Sequence, residues 1–123
     1  MTLKDLYQNI GGDYDQAMRI LRIEKLLNKH ILKFSANTVV ADLLAAGAAM
    51  DAQKIFESAH ALKGVSGNLG LTKLYELSSE LSDEFRPGTA RALPDDAVAS
   101  KLAEIRELYQ NTADAIRRYE AEK

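Results

Sequence analysis

The 123-residue sequence has no cysteine, which excludes a disulfide framework, a thiol nucleophile and any cysteine-based metal site. It has only 2 prolines and few alternating runs of β-branched residues, so little in it breaks helices or builds strands. Charge of one sign is also missing. Sixteen Lys and Arg against 18 Asp and Glu give a formal net charge of −2, without the basic excess that general nucleic-acid binding needs to neutralise phosphates. No apolar run approaches the ~18 residues of a membrane span, and the opening MTLKDLYQNIGGD lacks the apolar stretch of a signal peptide. There is no glycine-rich phosphate loop of the P-loop or dinucleotide type. The glycines of Gly67-Asn68-Leu69-Gly70 end a helix instead of opening one after a strand. What remains is one domain's worth of chain, long enough to bury a core, with an ordinary hydrophobic content of 46%. A cytoplasmic, all-α protein is expected.

Helix signals follow one another along the chain. Thr2 N-caps a first helix that stops at Gly11-Gly12. Asp13 caps the next, with Gln16 completing a capping-box-like pair, and a helix or helix pair follows with Met18, Leu21, Leu26, Leu27, Ile31 and Phe34 directed inward. After a break at Ser35–Thr38, a helix to about Ala48 turns Val40, Leu43 and Leu44 to the core, and Gly47 weakens its end. Met50 and Ile55 flank Asp51 at the spacing of a hydrophobic staple. Gly70 is a C-cap signal. Thr72 caps a helix with the stripe Leu74, Leu77, Leu81 and Phe85, and Arg86-Pro87-Gly88 ends it. Asp95 and Asp96 suit the positive end of a last helix dipole. That helix carries the seam Val98, Leu102, Ile105, Tyr109, Thr112, Ile116 and Tyr119, and its tail RRYEAEK is expected to fray. Short connections make adjacent helices antiparallel neighbours. The expected architecture is an antiparallel four-helix bundle over about 38–121, with additional N-terminal helices over about 2–34 packed on one end or side. The 123 residues are read as a single domain.

The stretch from Asp51 to Gly70 stands apart. At about 100° per residue, Ile55, Ala59, Leu62, Ser66 and Leu69 form its core stripe, and His60 points the opposite way. Gly64 and Gly67 follow on the same outward face, flanked by Phe56 and Lys63. A glycine inside a helix costs ~1 kcal/mol relative to alanine, so two on an exposed face need a reason. Clearance is one: bare backbone lets a bulky partner approach the imidazole. An exposed imidazole, a neighbouring ammonium and bare backbone together describe a site that carries a phosphoryl group. Phe56 is read either as a docking aromatic or as a ring tucked between helices. Ser66 is read as a small packing residue whose hydroxyl bonds back to the backbone. His30, in EKLLNKHILKF with no glycine near it, is read as a surface histidine. Glu57 and His60 make half of a di-iron motif, but a second such motif is missing, and no metal site is expected.

His60-Ala61-Leu62-Lys63-Gly64-Val65-Ser66, followed by Asn68-Leu69-Gly70, resembles the signature of histidine-containing phosphotransfer (HPt) domains: His-x-Leu-Lys-Gly-x-small, then Leu-Gly. The likeness extends to the opening TLKDLYQNIGGDYD and to LTKLYELSSEL, and so over the whole chain. The resemblance implies a phosphorelay protein in which His60 accepts a phosphoryl group from a receiver-domain aspartate and passes it to another receiver. Lys63 would balance phosphate charge, and Gly64 would give clearance; Gly67 either adds to that clearance or simply allows close packing. It implies response-regulator receivers and a hybrid or sensor histidine kinase as partners, with Mg²⁺ in the receiver and no cofactor on this chain. Many HPt domains place a polar residue, often glutamine, on the next helix within reach of the imidazole or phosphate. The matching position here is Ser82, whose side chain is shorter.

Two further readings stay open. One is an HPt-like adaptor that binds and sequesters receivers without turnover. The other is the phosphoacceptor domain of a larger kinase, although the methionine start and clean C-terminal helix favour a whole small protein. With no ATP-binding motif, none of these readings includes kinase activity of its own. A monomer is expected, since nothing demands a second copy.

Overall fold

The computed structural model of the chain describes residues 1–122. They form seven helices: α1 (Leu3–Ile10), α2 (Tyr14–Leu21), α3 (Glu24–Phe34), α4 (Val39–Ala48), α5 (Ala52–Asn68), α6 (Thr72–Glu84) and α7 (Asp95–Ala121). Helices α4 to α7 make an antiparallel four-helix bundle in which each packs on the next and α7 closes against α4. Of the N-terminal helices, α1 and α3 pack along α7, and α2 bridges α3 and α5.

The inward stripes supply the core. Leu27, Ile31 and Phe34 of α3, Ile55, Ala59 and Leu62 of α5, and Leu74, Leu77 and Leu81 of α6 are all buried, as are Val98, Ile105 and Ile116 of α7. Leu26 lies about 100° off the α3 stripe and is 37% exposed, so it is not a core residue. One stretch, Glu24–Ala48, reaches the length and mean hydropathy (1.3) of a membrane span, contrary to the expectation that no run would. In the fold it is two helices around a break, and Leu27, Ile31, Phe34, Val40 and Leu43 within it face the core.

Cap chemistry explains most boundaries. Thr2 and Asp5 form a full capping box on α1. Asp13 accepts from the Gln16 N–H at 2.9 Å, but the Gln16 side chain turns to Arg19, and the Asp13 N–H donates to the Gly70 carbonyl instead. The expected box is therefore half made, and its other half ties α2 to the α5–α6 corner. The helix pair after Asp13 does break, at Arg22, which takes a left-handed φ of 71°. Met50, the outer residue of the expected staple with Ile55, is set by the end of α4. The α4 C-terminus closes with Met50 N–H on Gly47 O and Asp51 N–H on Ala46 O, both at 3.1 Å, the double bond pattern that demands a left-handed residue between them. Met50 supplies it at φ 49°, which turns its side chain out to 41% exposure, while Ile55 is buried. Leu71, not Thr72, occupies the N-cap position of α6, without a side-chain cap bond.

Gly47 is buried under Leu102 of α7, so its missing side chain permits close packing of α4 on α7 rather than merely weakening a helix end. The tail of α7 is ordered to Ala121. Tyr119 is 5% exposed, and its hydroxyl donates to Asn28 Oδ1. Lys123 lies outside the described residues.

Candidate functional site on helix α5

The 17 residues of α5 are fixed at both ends. The Asp51 carboxylate accepts from the Lys54 N–H at 3.3 Å. At the other end Gly70 takes φ 67°, and the Leu71 N–H donates to Ser66 O at 2.9 Å. Gly70 is required there, since a Cβ would overlap the Asp13 carbonyl. Tyr7 locks the same corner from below, its buried hydroxyl donating to Leu69 O at 2.6 Å. Burial pushes that phenol well above its usual pKa, so it stays a donor. Ser66 is buried and donates back to Leu62 O at 2.6 Å, as its place on the stripe implied.

With Ile55, Ala59, Leu62 and Ser66 held in the core, the opposite face is presented to solvent. His60, Ala61 and Gly64 are exposed, and Phe56, Lys63 and Gly67 are half-buried along its edges. The Phe56 and His60 rings stack, with centroids 5.7 Å apart and planes 22° from parallel. Phe56 also packs against the core, so its ring is both tucked at the helix edge and stacked on the imidazole. At Gly64 a Cβ would meet nothing within 4 Å, so this glycine fills no packing need and leaves the helix surface bare one turn beyond His60.

Gly67 differs. A Cβ there would stand 3.1 Å from Cδ1 of Tyr75, so the space above it is taken by a ring from α6, not held open for a partner. Lys63 points to the same ring, its ammonium 6.0 Å from the Tyr75 centroid. Tyr75 is thus part of this face, and the sequence did not mark it: a single aromatic on the polar side of the Leu74–Leu77–Leu81 stripe has no periodic signal. Ser82 does not join the face. It is 1% exposed, and its Oγ has no hydrogen-bond partner, so it bonds neither the imidazole nor a group in solvent. His30 is exposed on a different element, α3. Among the described residues no group of three or more His, Asp or Glu side chains converges to hold a metal ion.

The chemistry available is that of an accessible imidazole nucleophile with an ammonium one turn away on bare backbone. A model of the Hpt domain family matches residues 3–115 of the chain. The chain belongs to this family. As an Hpt domain it takes a histidine phosphotransfer role in a two-component phosphorelay, the setting in which the family works with receiver domains and histidine kinases. The match runs from the first residue of α1 to well inside α7, so the N-terminal helices belong to the Hpt domain as much as the bundle does. Comparison with curated proteins and with solved structures gave no match.

Proposed function

We propose that this Hpt domain is a phosphoryl carrier whose acceptor is His60. The observation that carries the reading is the exposed imidazole on a helix face that Gly64 leaves bare. A neutral imidazole nitrogen attacks the phosphorus of an aspartyl phosphate on a docked receiver. The N–P bond forms as the P–O bond to the carboxylate breaks. The aspartate leaves as carboxylate, and the proton on the other ring nitrogen passes to the water around the exposed imidazole. The reverse attack by a second receiver's aspartate empties the site.

Phosphoryl transfer asks mainly for in-line positioning and charge stabilisation. Phe56 restricts the imidazole plane by stacking, and Lys63 supplies positive charge one helical turn away. Gly64 gives the partner room. The Mg²⁺ and the acceptor carboxylates belong to the receivers. The carrier uses no cofactor and no ATP of its own, acts as a monomer in the cytoplasm, and binds neither nucleic acid nor membrane.

The test is transfer from a phosphorylated receiver to the full chain, beside His60→Gln and His30→Gln. Phosphohistidine survives base but not acid, whereas acyl phosphate does not survive base. An acid-labile, base-stable label lost only in His60→Gln supports the carrier. Receiver binding without label, across cognate receivers, replaces it with the sequestering adaptor. Label retained in His60→Gln removes the site assignment.

A further inference from the structure

Tyr75 is the aromatic residue of α6, and it lies 40% exposed beside buried Leu74 and Leu77. Its ring packs on the bare backbone of Gly67, with Cδ1 and Cε1 at 3.1 and 3.2 Å from where a Cβ would stand. On the same side, one turn back along α5, the Lys63 ammonium sits 6.0 Å from the ring centroid. Among the described residues no carboxylate lies within ion-pair distance of that ammonium. Backbone, ring and ammonium therefore line up beside the His60 face.

We propose that Tyr75 is a positioning residue for Lys63, and that residue 67 is glycine so that this ring can lie there. The inference rests on the reading of His60 as phosphoacceptor. A lysine side chain is a flexible point charge, and ordering it when the phosphate arrives is an entropic cost paid at the moment of transfer. An ammonium already held against the electron-rich face of an aromatic ring has lost part of that freedom beforehand, and preorganisation of this kind favours the bound geometry. The ring does the holding, so the phenol oxygen is dispensable.

Tyr75→Phe and Tyr75→Leu separate these roles, with thermal melts confirming that each variant folds. In the unphosphorylated chain, the ring current of Tyr75 shifts the Lys63 ε-methylene protons upfield. That NMR shift persists in Tyr75→Phe and disappears in Tyr75→Leu. Transfer at saturating phosphorylated receiver is unchanged in Tyr75→Phe and about two- to fivefold slower in Tyr75→Leu, the size of an exposed cation–π contact. The receiver concentration for half-maximal rate does not change. In a Lys63→Met background, Tyr75→Leu adds nothing. An unshifted Lys63 resonance in the wild type overturns the proposal. So does an equal effect of Tyr75→Leu with and without Lys63, and so does an effect confined to receiver affinity, which would make Tyr75 a docking contact. If the wild type accepts no phosphoryl group at all, the carrier reading fails, and the NMR measurement still decides whether Tyr75 holds Lys63.

Discussion

Replacing Gly64 by alanine should make the protein more stable and a poorer carrier. The site is interior to α5, and an added methyl meets nothing within 4 Å. The helix-propensity gain of ~1 kcal/mol then stands with no steric cost against it. For an m-value of ~1–3 kcal/mol/M in urea, the unfolding midpoint rises by roughly 0.3–1 M. Gly47→Ala is the control in the same assay. It gains the same propensity, but its Cβ overlaps Leu102 Cδ1 across the α4–α7 contact. Overpacking at ~1–3 kcal/mol leaves a net loss of about 0–2 kcal/mol. On transfer, the Gly64→Ala methyl sits one turn from His60 where a receiver must come close, and the rate falls; Gly64→Gln lowers it further. Urea unfolding followed by circular dichroism, paired with receiver-to-carrier transfer on the same samples, reads both effects. A Gly64→Ala chain that is not stabilised refutes the open-space geometry. Full-rate transfer in both Gly64 variants refutes clearance as the reason for the glycine.

Met50→Gly should be close to neutral in the same urea assay, within about 1–2 kcal/mol of wild type, because relief of the left-handed backbone is offset by the burial and chain entropy it gives up. The left-handed backbone costs an L-residue ~1–2 kcal/mol, against ~0.5–1 kcal/mol of added chain entropy and ~1–2 kcal/mol for the covered part of a side chain only 41% exposed. Gly70→Ala should instead be clearly destabilising, losing at least ~1–2 kcal/mol from its φ of 67° alone. Its Cβ also displaces the Asp13 carbonyl, and amide exchange at Asp13 and Leu71 should quicken. Glu84→Gln gives a pH-dependent loss. The Glu84 carboxylate accepts from Arg91 Nε at 2.8 Å and from the Leu93 and Ala92 N–H groups at 2.8 and 2.9 Å. The Arg91 contact first, then these backbone donors, holds its pKa below the ordinary 4.5. Its unfolded form binds the proton more readily, so its stabilisation is present above about pH 4.5 and is lost as pH falls through the lower folded value. Wild type should exceed Glu84→Gln in thermal midpoint at pH 7, with the gap closing on acidification below 4.5; a gap constant with pH would refute the assignment.

Periodic features were the legible ones. The α6 stripe Leu74, Leu77, Leu81 and Phe85 and the α7 seam from Val98 to Tyr119 are buried or half-buried throughout, because a helix repeats its inward face and the core enforces the repeat. Local side-chain chemistry was legible too, as Thr2, Asp13 and Asp51 each cap a helix through the predicted carboxylate or hydroxyl. The exposure of His60 was legible because it lies opposite its own stripe. What escaped depends on contacts between elements that no local pattern encodes. Gly67 could be read as clearance or as close packing, and only the fold shows the ring 8 positions along the chain that covers it. Ser82 holds the place where the family carries a polar second-helix residue, yet it lies buried. Asp13 N–H serves Gly70, 57 residues away, in place of a capping box. Met50 escaped for a different reason: staple spacing is common, whereas a left-handed methionine goes against residue preference and is imposed by the α4–α5 reversal.

On the carrier reading proposed above, His60, Phe56, Lys63 and Gly64 share one face of one helix, which gives the carrier a single berth. Donor and acceptor receivers would then take turns at it, so the proposed relay would follow ping-pong order, with the loaded protein releasing one partner before meeting the next. An unphosphorylated receiver in excess then acts as a competitor as well as a destination. The traffic through such a protein is governed by relative receiver abundance and residence time as much as by the chemistry at the imidazole.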